Sequence, residues 1–233
     1  MNPKEFYELG CGGECAERVP ATQRILHRIV QRFMLDRYEL TEENLPGQGR
    51  WLDLGCGDGK YLPTMINKYD EVWGVDIVKN CGKKCIDSIA TKTGGDSKIH
   101  FKVADINEPL DFTSGHFDCV TMIAVLEHLF DPLAIIRECY RLLHPGGTLI
   151  VYVPNVAYVT NRLRLAGGKL PVTSRGGGWD GGHLHYFTRS SLKQLLEKEG
   201  FNVMKITSGG PFRKIRNIRG SLLSSDIMIV GKR

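Results

Sequence analysis

A glycine-rich turn at residues 52–60, with the sequence L-D-L-G-C-G-D-G-K, constrains the fold of this chain more than any other feature. An apolar, strand-like stretch at 51–54 leads into glycines at positions 55, 57 and 59, and a helical pattern follows over 60–69. Glycine lets the backbone turn tightly and approach a ligand, and a helix N-terminus offers unpaired N–H groups. The segment therefore predicts a strand–turn–helix unit at which a ligand binds.

Strand-like and helix-like segments alternate on both sides of this turn. The pattern predicts further strands at 71–77, 99–105, 116–125, 148–153, 201–206 and 227–230. It also predicts helices at 21–40, 78–91, 131–143 and 188–199, with Asp131 and Thr188 as N-caps. This alternation predicts a doubly wound α/β fold, closed by a tight antiparallel strand pair at the sheet edge.

The length and composition fit one domain of this kind. The 233 residues are 42% hydrophobic and 24% charged, which excludes collagen-like and disordered classes. No apolar run approaches the roughly 20 residues that span a bilayer, and the N-terminal residues are polar. We expect a cytoplasmic protein with free thiols, without membrane insertion. We also expect one domain over 1–233, with a helical extension at 1–44 and a lid or acceptor-binding insertion at 154–187.

Charge is distributed unevenly along the chain. Residues 1–153 hold 17 Lys and Arg against 22 Asp and Glu, whereas residues 154–233 hold 14 against 4. A basic C-terminal part attracts anionic partners such as phosphorylated metabolites, acidic sugars or nucleic acid. A basic surface that is only solvated is the alternative.

Carboxylates at the predicted strand ends narrow the choice of ligand. Asp76 ends the second strand, where a carboxylate accepts hydrogen bonds from ribose hydroxyls, and Asp105 ends the third, where it can accept one from an adenine amino group. A turn-capping role is the alternative for both. A dinucleotide-binding loop would place its third glycine one residue later, and Asp58 would repel a pyrophosphate. These features favour S-adenosylmethionine (SAM) over NAD.

In combination, the motifs resemble those of class I SAM-dependent methyltransferases. The matching segments are D-L-G-C-G-D-G, V-D, A-D, V-L-E-H and L-H-P-G-G-T-L, within residues 45–155. The resemblance implies a Rossmann-like, seven-stranded, mostly parallel sheet with the last strand antiparallel and helices on both faces. It also implies SAM as cofactor, S-adenosylhomocysteine as product, and a set of binding residues: Asp53, Gly55, Cys56 and Gly57 for the methionyl part, Asp76 and Ile77 for the ribose, Asp105 and Ile106 for the adenine, and Ile123 and Ala124 beside the sulfonium.

The region 154–201 resembles narrower groups. Its segments P-N, N-R-L-R-L and G-K-L-P-V-T are similar to MetW proteins, which are associated with methionine biosynthesis. The segment that begins H-L-H-Y-F-T is similar to small-molecule and sugar-modifying methyltransferases. Arginines suit phosphate or carboxylate groups, and aromatic rings suit a sugar or base, so we predict these acceptor-binding residues: Tyr158, Arg162, Arg175, Trp179 and Tyr186. Arginines that are merely solvated on an exposed helix are the alternative.

Three histidines are candidates for catalysis, because an alcohol acceptor has to lose its proton. His128 follows the fourth predicted strand, and His183 and His185 form an H-x-H pair. A structural role, with His128 held by Glu127 or by backbone, is the alternative. Ubiquinone-pathway O-methyltransferases resemble this region but carry S-E-V-x-E-H, which can hold a divalent cation. Residues 123–128 here lack one of those carboxylates, and no third ligand is evident for the H-x-H pair, so we expect no metal.

We therefore predict transfer of a methyl group from SAM to a small anionic acceptor, at a hydroxyl oxygen in preference to nitrogen or carbon. Two alternatives remain open: an RNA or tRNA methyltransferase, and a non-catalytic SAM-binding protein, similar to MetW, that accompanies a methionine-pathway enzyme. The basic cluster at 213–219 is the feature that RNA would use. No RNA-binding module is evident around it, so nucleic acid is not favoured.

Overall fold

Seven strands form a single sheet in the computed structural model, which describes residues 37–59, 61–78, 98–174, 182–209 and 218–233. The spatial order of the strands is β3-β2-β1-β4-β5-β7-β6. Their bounds are Arg50–Leu54 (β1), Glu71–Asp76 (β2), Ile99–Val103 (β3), Phe117–Ile123 (β4), Leu143–Pro154 (β5), Asn202–Thr207 (β6) and Asp226–Lys232 (β7).

Among the described residues, one helix precedes β1 and the others lie between strands along the chain. The α-helices are Arg37–Glu42 (α1), Pro132–Leu142 (α2), Val159–Ala166 (α3), Arg189–Lys198 (α4) and Gly220–Leu223 (α5). In this part of the chain, 3₁₀ helices are found at Leu62–Met65 and Leu126–His128. None of these helices is both long enough and apolar enough to cross a membrane.

The strand directions confirm the predicted fold class. Strands β1 to β5 pair in parallel, and β7 pairs antiparallel with both β5 and β6. Leu54, at the end of β1, pairs with Val75 and Met122, and Asp76 pairs with Val103. The carboxyl ends of β1, β2, β3 and β4 therefore meet at one edge, which is where open α/β sheets bind ligands.

Apolar side chains fill both faces of the sheet because alternate strand residues point to opposite sides. Leu52, Leu54, Val120 and Met122 join one buried cluster with residues of α2 and α4. Trp51 and Cys119 join a second cluster, in which the rings of Tyr61 and Tyr69 pack on the Trp51 ring. Burial of an aliphatic side chain of this size contributes about 1.5–3 kcal/mol, so both layers stabilise the sheet.

Several predicted bounds are wrong. The helix predicted over 60–69 is a 3₁₀ helix at Leu62–Met65, in which backbone N–H groups bond to carbonyls three residues earlier, as Thr64 does to Tyr61. Strand β5 begins at Leu143 instead of 148, because Gly146 and Gly147 exchange backbone hydrogen bonds with Arg233. The helix predicted over 78–91 and most of the extension at 1–44 lie outside the described residues.

Two predicted helix starts are confirmed in detail. The carboxylate of Asp131 accepts hydrogen bonds from the N–H groups of Leu133 and Ala134, and Pro132 occupies the first helical position of α2. The hydroxyl of Thr188 accepts from the N–H of Ser191 at the start of α4. Local sequence therefore sets where these two helices begin.

Candidate functional site

The glycine loop between β1 and the first 3₁₀ helix is hydrogen-bonded to β2 and faces an open space at Gly57. The N–H groups of Gly55 and Cys56 both donate to the carbonyl of Val75, at 2.8 and 3.2 Å. Gly55 has φ +71°, and a Cβ there would lie 2.4 Å from a methyl of Val125, so only glycine fits. Gly57 has φ +58°, but a Cβ there would meet nothing within 4 Å. The loop thus presents its backbone to an open space.

Asp76 joins this loop to the end of β2. Its Oδ2 accepts a hydrogen bond from the Gly57 N–H at 2.8 Å, and its Oδ1 accepts one from the Val78 N–H at 3.0 Å. Burial raises the pKa of Asp76, and the N–H groups of Val78, Gly57 and Ile77 act in the opposite direction. The carboxylate is therefore held at the rim of the open space by the two strand-end segments predicted to bind SAM.

Asp53 lies deeper, on β1. Its carboxylate is buried and accepts a hydrogen bond of 2.6 Å from the Thr121 hydroxyl on β4, and Thr121 accepts one from the indole N–H of Trp51. Burial raises the pKa of Asp53 to about 7, the Thr121 hydrogen bond lowers it, and the nearby Asp76 raises it further. Sequence reasoning missed Thr121, because its place beside Asp53 depends on the register between β1 and β4.

Asp105 follows β3 by two residues and is exposed. Its Oδ1 accepts hydrogen bonds from the backbone N–H and the side-chain amide of Asn107, both at 2.9 Å, which is the turn-capping arrangement. Ile106 is buried against the core. Both residues lie at the predicted edge of the sheet, and their contact with an adenine ring stays a prediction.

Ala124, directly after Ile123 at the end of β4, has a strained backbone. Among the residues that the structure describes, it is the only non-glycine residue with a positive φ, at 58°. Its N–H donates to the Tyr152 carbonyl on β5 at 2.8 Å, which holds this conformation. The left-handed region costs an L-residue about 1–2 kcal/mol, and such strain is concentrated at functional sites. The turn brings Val125 against Gly55, so it joins the end of β4 to the glycine loop.

Three side chains converge just beyond this turn, and we call them the Glu–His cluster: Glu127, His128 and His183. One ligand-type atom from each lies within 4.8 Å of the others, and His183 Nε2 is 3.9 Å from Glu127 Oε1. Glu127 is 1% exposed, and neither of its carboxylate oxygens has a hydrogen-bond partner among the residues that the structure describes. Burial raises the pKa of Glu127 to about 7, while its own backbone N–H and Arg37 lower it.

Hydrogen bonds orient both imidazole rings of this cluster. His128 Nδ1 lies 3.3 Å from the Gly182 carbonyl oxygen, and His183 Nδ1 lies 2.6 Å from the Thr173 hydroxyl. The two ring centroids are 4.7 Å apart. Burial lowers the pKa of His128, and His183 lowers it further, so His128 is neutral at neutral pH.

The predicted H-x-H pair does not act as one unit. His183 joins the Glu–His cluster, whereas His185 Nε2 lies 3.3 Å from the Phe130 carbonyl oxygen. The N–H groups of Leu184 and His185 both donate to the Glu127 carbonyl, at 2.8 and 3.0 Å. These bonds tie residues 184 and 185 to the 3₁₀ helix at Leu126–His128, which follows β4. Sequence reasoning did not place Glu127 among the site residues, although its position next to His128 is the signal that would have found it.

The predicted acceptor-binding residues are only partly described. Tyr158 immediately precedes α3, and Arg162 is exposed on that helix, where its Nε donates to the Ala157 carbonyl at 2.7 Å. Tyr186 is 43% exposed on the segment tied to Glu127. Arg175 and Trp179 lie outside the described residues. The part these residues play in acceptor binding stays a prediction.

The chain is similar to known proteins in both sequence and fold. Residues 26–206 match the family described as "Methyltransferase domain". A ubiquinone biosynthesis O-methyltransferase from Xanthomonas campestris is 36% identical over 112 residues, which are 48% of this chain and 45% of that protein. A protein of the same name from Paracidovorax citrulli is 32% identical over 103 residues, which are 44% and 42% of the two chains. The chain thus spans less than half the length of these curated relatives.

Solved structures share the fold at low sequence identity. A SAM-dependent methyltransferase from Thermotoga maritima matches with a TM-score of 0.63 and 18% identity, over 91% of this chain and 95% of that one. One from Mesorhizobium loti matches with a TM-score of 0.61 and 16% identity, over 85% and 98%. The similarity to MetW proteins stays a prediction. The chain belongs to the methyltransferase-domain family, and its fold is the Rossmann-like fold of class I SAM-dependent methyltransferases.

Proposed function

We propose that this chain transfers the methyl group of SAM to a hydroxyl oxygen of a small anionic acceptor. The observation that carries the proposal is the open space over Gly57, with the carboxylate of Asp76 held at its rim. A side chain at position 57 would enter that space, and glycine leaves it to a ligand. The space lies at the carboxyl edge of the sheet, where this fold binds its ligands.

The residues around this space fit SAM in their chemistry. Asp76 accepts hydrogen bonds and suits a ribose, while Asp53 suits the cationic amino group of the methionyl part. Gly55, Cys56 and Gly57 offer backbone, Ile77, Ile106 and Ile123 offer apolar contact, and Ala124 turns the chain beside them. When bound, SAM supplies a methyl group that its sulfonium has already activated. The protein then has to align the acceptor and help its hydroxyl lose a proton.

The Glu–His cluster is the group that supports a hydroxyl acceptor. It lies directly after the strained turn at Ala124, next to the glycine loop, and His128 is neutral at neutral pH. A neutral imidazole can accept a proton, and His183 on the adjoining segment lies in the same cluster as His128. The names of the curated relatives, which are O-methyltransferases, agree with oxygen as the methylated atom.

An anionic acceptor is supported by charge. The part of the chain that follows β5 holds 14 Lys and Arg against 4 Asp and Glu, and it includes Arg162 and Arg175. Arginine binds phosphate and carboxylate groups through paired N–H donors, and Tyr158, Trp179 and Tyr186 offer flat rings for the rest of the molecule. We propose that residues 154–187 of this single domain cover the acceptor, and that the enzyme works in the cytoplasm.

The test is transfer of labelled methyl from SAM by the purified chain into an extract of its source organism, separated into small-molecule and macromolecular fractions. Label in small anions is the expected result. Label in RNA or protein would overturn the acceptor assignment. If no label is transferred although SAM binds, the chain is a regulatory SAM-binding protein and the assignment of methyltransferase activity is overturned. An Asp76→Ala variant, which should not bind SAM well, controls for labelling by contaminants.

The role of His128 is tested separately once an acceptor is known. His128→Ala is expected to slow turnover on a hydroxyl acceptor while SAM affinity stays within about twofold, because the residue lies in the Glu–His cluster and outside the glycine loop. A variant that turns over at the full rate would remove His128 from the mechanism.

A further inference from the structure

We propose that the Glu–His cluster binds one divalent first-row transition-metal ion of the Zn²⁺, Co²⁺ or Fe²⁺ type. From the sequence we expected no metal, because residues 123–128 lack a carboxylate and the H-x-H pair lacks a third ligand. In the folded chain the missing donor comes from a distant segment, since His183 lies beside Glu127 and His128.

The carboxylate of Glu127 is the first observation behind this site. It is 1% exposed, both oxygens lack a hydrogen-bond partner within the described part of the chain, and Oε1 faces His183 Nε2 at 3.9 Å. A buried carboxylate without hydrogen bonds costs free energy, and such groups in native proteins are paired or coordinate metals. A cation between Glu127 and the two imidazoles would satisfy this group.

The spacing of the three donors agrees with a shared ion. Zn²⁺ holds imidazole nitrogen and carboxylate oxygen at about 2.0–2.2 Å, so two donors on one ion lie roughly 3–4 Å apart. The donors here lie within 4.8 Å of one another, so side-chain movements of less than about 1 Å would bring all three to the spacing of ligands on one ion. Three protein ligands leave at least one coordination position open, as in catalytic metal sites.

The surroundings of the histidines match those of metal ligands. A ligating imidazole is normally held through its other ring nitrogen by a carbonyl or a polar side chain. His128 Nδ1 lies 3.3 Å from the Gly182 carbonyl oxygen, and His183 Nδ1 lies 2.6 Å from the Thr173 hydroxyl. With its Nδ1 beside the Thr173 hydroxyl, His183 presents its Nε2 to Glu127 Oε1 at 3.9 Å.

The donor set selects the class of metal. Mg²⁺ and Ca²⁺ prefer all-oxygen sites, whereas two imidazoles and one carboxylate suit zinc, cobalt and iron. Resting on the proposed function, the ion would lower the pKa of an acceptor hydroxyl at its open position, and the histidines would act as ligands in place of a free base. The reaction is otherwise the one proposed above, in which SAM donates its methyl group to a hydroxyl oxygen of a small anionic acceptor.

The experiment measures metal binding without SAM or acceptor, so its failure and that of methyl transfer are distinguishable. Untagged, chelator-treated protein is titrated with Zn²⁺ by calorimetry and with Co²⁺ by visible absorption. We expect one ion per chain, cobalt bands typical of nitrogen and oxygen ligation, and no displacement by millimolar Mg²⁺. Glu127→Gln and His183→Gln should each weaken Zn²⁺ binding on the order of a hundredfold or more, and Thr173→Val about tenfold.

His185→Gln is the matched control, because His185 belongs to the same H-x-H pair but bonds to the Phe130 carbonyl oxygen, outside the cluster. Its Zn²⁺ affinity should equal that of the unaltered chain. Circular dichroism and a cooperative thermal transition show whether each variant is folded, and Thr173→Val provides a milder substitution if removal of a ligand unfolds the chain. The absence of Zn²⁺ and Co²⁺ binding would overturn the proposal, as would binding that persists unchanged in Glu127→Gln and His183→Gln.

Discussion

Replacement of Glu127 by glutamine should change how the stability of the metal-free protein depends on pH. The carboxyl is 1% exposed and has no hydrogen-bond partner in the described segments, and burial raises its pKa from 4.5 to about 7. An acid whose pKa is raised on folding binds more protons in the native state, so stability falls as pH rises from about 4.5 to 7 and then levels off. The difference between the two pKa values corresponds to a loss of about 3 kcal/mol in the free energy of unfolding above pH 7.

The assay is urea unfolding in the presence of EDTA at pH 5 and pH 8.5. The free energy of unfolding should fall between pH 5 and pH 8.5 in both proteins, and the fall should be about 2–3 kcal/mol smaller in Glu127→Gln than in the unaltered chain, because glutamine carries no charge to bury. His128, His183 and Arg37 face the same carboxylate in both proteins, so their titration largely cancels in the comparison. Glu108→Gln, at an exposed position, should show the unaltered pH dependence. Identical pH dependence in Glu127→Gln and the unaltered chain would refute the reasoning.

Three further predictions concern SAM binding, each measured by calorimetry. Gly57→Ala should weaken SAM binding tenfold or more because its Cβ enters the open space. Gly47→Ala is the control and should not weaken binding, because Gly47 has a similar φ of +72° and equally open surroundings away from the site. Equal SAM affinities of the two variants would contradict the assignment of the space over Gly57 to SAM. Asp76→Ala should weaken binding by an order of magnitude or more, and unchanged affinity would remove the ribose assignment. SAM affinity should rise with pH up to about 7 as Asp53 ionises, and the affinity of Asp53→Asn should not depend on pH in this range. If neither protein shows a pH dependence, Asp53 does not contact SAM.

The glycine turn and the carboxylate of Asp76 beside it were predictable because their determinants are local. Glycines at 55, 57 and 59 and a carboxylate at 76 follow strand-like segments, and the carboxyl ends of parallel strands meet at one edge. The caps at Asp131 and Thr188 are local for the same reason. The expected strand end at Asp105 was two residues too long, since Asn107 draws that carboxylate into a turn.

The contacts that complete the site were not predictable, because they join distant parts of the chain. Thr121 reaches Asp53 only through the register of β4 against β1. His183 reaches Glu127 only because backbone bonds tie residues 184 and 185 to the 3₁₀ helix that follows β4. Single-sequence patterns carry no information on such pairings. The same limit explains why the H-x-H pair was interpreted as a unit, although His185 bonds elsewhere.

The most direct test of the central claim is calorimetric titration of the purified chain with SAM and, separately, with NAD. The glycine loop, the carboxylate of Asp76 at its rim and the space over Gly57 predict binding of one SAM per chain, and no binding of NAD at the same concentration. Failure to bind SAM, or binding of NAD in its place, would contradict the assignment of this edge of the sheet as a SAM site.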